Sequence, residues 1–144
     1  MNINWLELIV GLVLGIFYSD IRDRILFCSK KQQFRKNIYD LFNFNLERCV
    51  QMDRQLTPQN GKIEIPNYLF DTDSIKALIF NGREYFSNQG EFDSINWQRY
   101  QLDHLNNKLA IIGDGIGTGQ YIPEFRTHLS REKKAIEALL GGWK

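Results

Sequence analysis

Four side chains in this sequence have the chemistry of a soft metal ligand: Cys28, Cys49, His104 and His128. A zinc site needs several such donors to converge, usually with two of them in Cys-x-x-Cys, His-x-x-x-His or His-Glu-x-x-His spacing. None of those spacings occurs, so no metal is expected. The cysteines fall on an apolar helical stripe and read as buried thiols of a reducing compartment. Acyl transfer favours a serine on a sharp Gly-x-Ser-x-Gly turn, and no serine has that context. Asp71 and Asp73 stand where a helix begins, and read as carboxylates facing the positive end of its dipole. The expectation is a chain without catalytic residues and without a cofactor.

Glycines at 113, 115, 117 and 119 form the loudest local feature. In Lys108–Gly117 an apolar run meets closely spaced glycines. This arrangement resembles the first strand and turn of flavin- or nicotinamide-binding domains, where bare backbone amides approach a pyrophosphate. The third glycine of the strict Gly-x-Gly-x-x-Gly pattern falls on Thr118, however, and the residues after Gly119 are too few to supply the remaining strands. Residues 95–112 also carry helical spacing. The run therefore reads as a connector between helices. An anion held by the amides of Gly113, Gly115, Gly117 and Gly119 is the alternative.

A third cluster is basic. Arg22, Arg24, Lys30, Lys31, Arg35 and Lys36 lie in one stretch against only Asp20 and Asp23. It follows an apolar segment that is uncharged from Leu8 to Ser19 and extends to Ile3 and Ile21, with Glu7 inside it. Nineteen residues of helix reach roughly 28 Å, close to the ~30 Å of a bilayer's hydrocarbon core. Trp5 and Tyr18 suit the two interfaces, and the basic flank sets the orientation. The expectation is a single-pass span in the cell inner (plasma) membrane, amino terminus out and the rest cytoplasmic, with the bilayer as a partner. The basic residues would then be membrane-proximal. No basic n-region and no Ala-x-Ala site suggest a cleaved signal. Gly11 and Gly15, one turn apart, would let a second helix approach closely and form a homodimer. The same apolar run also fits a helix buried in a core shared between several copies, because residues 8–17 leave no polar stripe.

The elements that hold these residues follow from hydrophobic spacing. The chain has 144 residues, about one domain. Its 18 basic and 17 acidic side chains give a net charge of +1, which provides no bulk attraction to nucleic acid. Two cysteines cannot build a disulfide framework. A helical stripe runs through Ile21, Ile25, Cys28, Phe34, Ile38, Leu41 or Phe42, Leu46, Cys49, Met52 and Leu56. Thr57–Gly61 contains breakers, and 57–70 reads as a loop crossing a bundle. A helix over 72–87 starts with good capping types at Asp71–Ser74. Another starts near Asp93 or Ser94 and buries Ile95, Gln98, Leu102, Leu105, Leu109 and Ile112 in a coiled-coil-like seam. The last starts at Pro123 and stops at Gly141-Gly142.

The fold expected is thus all-α: one N-terminal transmembrane helix (1–21), a membrane-proximal basic helix (22–56) and a cytoplasmic helical region (57–144) that pack as a small bundle. In outline the chain is similar to small bacterial proteins with one amino-terminal span, a likeness that transfers no active site. The function expected is non-enzymatic: an adaptor, scaffold or sensor subunit acting through contacts with another protein. The alternatives are a soluble helical oligomer with residues 3–18 in a shared core, and a nucleotide- or anion-binding protein using Gly113–Gly119.

Overall fold

The computed structural model describes residues 5–58, 63–113 and 118–143. Among them there are four α-helices and no strand. These are α1 (Trp5–Gln55), α2 (Thr72–Asn81), α3 (Gln89–Gly113) and α4 (Thr118–Gly141), with a 3-10 turn at Arg83–Tyr85 between α2 and α3. In the bundle α4 lies against α1 and α3, and α2 lies against α3 and α1. The helices therefore form a ring in chain order, with α1 and α3 facing each other across the core.

The basic stretch and the apolar segment before it belong to one helix. No glycine or proline occurs between Ile16 and Thr57 to break it. Its 51 residues span about 76 Å at 1.5 Å per residue. Only the second half enters the bundle. From Phe34 onward the buried positions are Phe34, Ile38, Phe42, Asn45, Cys49, Met52 and Leu56, spaced by threes and fours on one face. Before that, every described side chain from Trp5 to Lys30 is exposed. Ile21, Ile25 and Cys28, expected on the buried stripe, stand in the open.

No helix among the described residues is long and apolar enough to cross a membrane. This overturns the expected transmembrane helix and, with it, the single-pass inner-membrane address and the outward amino terminus. The physical reason is the charge bracket. Glu7 on one side and Asp20 and Arg22 on the other leave twelve uncharged residues, about 18 Å of helix against ~30 Å of hydrocarbon.

Capping explains where the shorter helices begin. Asp71 accepts a hydrogen bond from the Ser74 amide at 3.1 Å and caps α2, as its type suggests. The 3-10 turn ends the expected 72–87 helix early. α3 starts before the expected 93–94, because Asn88 caps it by accepting from the Glu91 amide at 2.9 Å. Glu91 reaches back to accept from the Ser87 amide at 2.6 Å, so Asn88, Gln89 and Gly90 open a helix and do not close one. α4 runs from Thr118, with Pro123 inside it. The missing proline amide costs the ladder one bond near the start and does not prevent the earlier turn.

The core is closed by aromatic contacts at one end. Phe34 meets Phe86 edge-on at 5.1 Å between centroids, and Phe86 meets Phe92 at 5.4 Å. Gly82 lies directly against the Phe34 ring, where an added Cβ would overlap it. In α3 the expected seam is buried at Ile95, Leu102, Leu105, Leu109 and Ile112 and differs at one position. Arg99 is buried, 5% exposed, whereas Gln98 is half-buried with its Oε1 unpartnered. Arg99 stays paired on its own helix, donating to Asn96 Oδ1 at 3.1 Å and to Asp103 Oδ2 at 2.7 Å.

Candidate functional site

The first twenty-odd residues of α1 form an arm outside the bundle. Leu8, Ile9, Val10, Leu12, Val13, Leu14, Ile16 and Phe17 are all exposed, between 42% and 63%. They occupy every side of the helix, so the arm has no solvated face. Monomeric proteins rarely expose a contiguous apolar surface of this kind unless it meets something. Gly11 and Gly15 sit on the arm with nothing within 4 Å of where a Cβ would stand.

The basic residues do not gather on one face. At about 100° per residue, positions 22, 24, 30, 31, 35 and 36 spread around the helix. Arg24 pairs with Asp20 at 3.2 Å within the arm. Arg35 belongs to the bundle: it donates to Ser87 Oγ at 2.8 Å and to Glu91 Oε1 at 2.9 Å, and its guanidinium lies 5.8 Å from the Trp143 ring centre. Arg22, Lys30 and Lys36 are exposed and Lys31 is half-buried.

Of the glycine run, Gly113 ends α3 and Gly119 lies in the first turn of α4. Gly115 and Gly117 lie outside the described residues. Leu109 and Ile112 are buried core residues of a helix, so the strand that a dinucleotide turn must follow is absent among the described residues.

Four titratable side chains of α3 and α4 meet in one cluster. Lys108 Nζ lies 2.6 Å from Glu124 Oε1 and 3.0 Å from His128 Nδ1. The His104 and His128 rings are 6.1 Å apart. Burial, helped by the Lys108 and Arg131 charges, holds the His128 pKa below its ordinary value. The Lys108 hydrogen bond and charge lower that of Glu124. Neutral His128 can therefore accept from the ammonium group, and the cluster ties α3 to α4. No group of three His, Cys, Asp or Glu side chains suited to a metal ion exists among the described residues.

Cys49 faces a groove of about 720 Å³ between α1 and α4, with Leu56, Ile63, Ile122, Arg126 and Lys133 around it. Burial pushes its thiol up to about 12, so it is a poor nucleophile near neutral pH. Arg126 crosses this groove to Thr57 Oγ1 at 3.1 Å and Asp53 Oδ1 at 3.4 Å. Cys28, in contrast, is exposed.

Two asparagines belong to no motif in the sequence. Asn45, fully buried, accepts from the Asp71 amide at 2.8 Å and donates to the Leu41 carbonyl at 3.0 Å. Asn106 accepts from the Phe70 amide at 2.8 Å and donates to the Phe70 carbonyl at 3.0 Å. Together they hold the loop that crosses the bundle. The only hint in the sequence was a polar residue at a core phase of α1.

The chain matches no family model, and comparisons with the curated proteins and with the solved structures find no similar protein.

Proposed function

We propose that this chain is a non-enzymatic scaffold or adaptor that assembles through its arm, the arms of several copies making together the apolar core that each lacks alone. The observation that supports this reading is the exposure of the whole apolar run beside a bundle whose own core is closed. Fully covering a Val, Leu, Ile or Phe side chain is worth about 1.5–3 kcal/mol, so several per arm are enough to hold copies together. A helix apolar on all sides is covered fully only by more than one neighbour. The bundles then stand outside the shared core, each presenting its surface to other proteins, and co-localised copies raise one another's effective concentration.

Sedimentation of the full chain tests the reading. The native protein should run as an oligomer at micromolar concentration. Replacing Leu8, Leu14, Ile16 and Phe17 with glutamine, which makes every side of the arm polar, should give a monomer whose bundle unfolds as cooperatively as before. A native chain that sediments as a monomer in detergent-free buffer refutes the proposal.

A further inference from the structure

The order of charge along the arm says how the copies meet. Glu7, Gly11, Gly15, Tyr18 and Arg22 are spaced by four, four, three and four residues, which places them on one helix face. An acid stands at one end of this face and a base at the other, with no charge between. Among the described residues neither Glu7 nor Arg22 has an ion-pair partner in its own chain, whereas Arg24 is already taken by Asp20. We propose that the arm's partner is a second copy of this chain lying antiparallel, Glu7 of each copy against Arg22 of the other. This rests on the reading of the arm as an association surface and adds its direction.

The alternative direction is opposed by the same residues. Parallel arms bring Glu7 to Glu7 and Arg22 to Arg22, two like-charge contacts at the rims of an apolar interface. Antiparallel arms turn both into opposite-charge contacts. The crossing then falls between Leu14 and Gly15, midway between the charged residues. Gly15 has open space where a Cβ would stand, which permits close approach there. Because each neighbour is inverted, a closed assembly holds an even number of copies.

The native chain carries its own probe. Cys28 is exposed and Cys49 is buried, so a spin label attaches at 28. With the crossing at 14–15, labels on antiparallel neighbours are about 40 Å apart along the axis at 1.5 Å per residue. Parallel neighbours put them about 10 Å apart, the spacing of packed helices. The expected pulsed electron resonance spectrum contains a component near 40 Å, in an assembly of even copy number by native mass spectrometry. Glu7→Arg alone and Arg22→Glu alone should each weaken association by about 3- to 10-fold, as two exposed ion pairs change sign. The two changes together should restore it. These substitutions lie on the exposed arm, and circular dichroism checks that the bundle is intact. Distances near 10 Å only, a trimer or pentamer, or single reversals without effect overturn the antiparallel arrangement and leave the association surface standing. A monomer, or an arm recovered on added lipid vesicles in place of an oligomer, overturns both.

Discussion

Residues 63–71 cross the bundle without regular structure, and the Phe70 and Asp71 amides have side chains as their partners. Asn45 and Asn106 supply them. Truncation would leave buried amides and carbonyls unpaired, at about 1–3 kcal/mol for each unsatisfied group. Asn45→Ala and Asn106→Ala should each lower the urea midpoint without changing the slope of the transition, and Asn45→Leu should not recover the loss. Gly82 makes a different demand. Its hydrogen leaves room for the Phe34 ring, so Gly82→Ala should cost about 1–3 kcal/mol by overpacking, read by the same melts. Phe34→Leu should relieve part of that cost in the double variant. His128 adds a dependence on pH. Its pKa is held down in the folded chain, so below about 6.5, the ordinary histidine value, the unfolded chain binds the extra proton first. Stability is complete above that pH and falls as pH drops toward the folded pKa. Glu124, lowered by Lys108, adds a second fall in the acid range. Melting temperature followed from pH 7.5 to 5 should decline less in His128→Gln than in the native chain.

At the scale of elements, the tie between α1 and α3 is concentrated in Glu91. One carboxylate accepts from Arg35 at 2.9 Å and from the Ser87 amide at 2.6 Å. Glu91→Ala therefore removes a helix-start contact and an inter-helix ion pair together. The expected loss is about 1–2 kcal/mol, while Gln89→Ala, which breaks only an exposed side-chain contact to Asp93, should stay within about 0.5 kcal/mol. Paired chemical denaturation curves check both. Helix identity was legible because apolar residues recur at three and four, a signal that burial enforces. Helix starts were less legible. Asn88 and Gly90 have the types of a stop as well as of a cap, and only Glu91 reaching back to Ser87 decides between them. The shift from Gln98 to Arg99 has a similar origin. Both are polar at neighbouring phases, and Arg99 tolerates burial because Asn96 and Asp103 on its own helix satisfy it. The arm was legible as apolar all round. Its surroundings were not, since one apolar helix pattern fits a bilayer or a core shared between protein chains equally well. The charge bracket of Glu7, Asp20 and Arg22 is what separates these, and it was present in the sequence.

For the whole molecule, association through the arm links stability to concentration. If the assembled chain alone covers its arm, the thermal midpoint should rise as protein concentration rises. Raising concentration a hundredfold should move the native chain's midpoint and leave the Leu8, Leu14, Ile16 and Phe17 variant unmoved, as scanning calorimetry can measure. In the sequence the glycine run separates α3 from α4, the two helices joined by the Lys108 cluster. α1 carries a mechanical consequence of its own. It passes from tip to bundle without a hinge residue between Ile16 and Thr57. A shaft with no joint transmits torque: turning its tip turns the Asn45 end by the same angle. Whatever grips the far end therefore sets the compass bearing of every bundle face, and shortening the shaft by a single residue would swing those faces by about 100°.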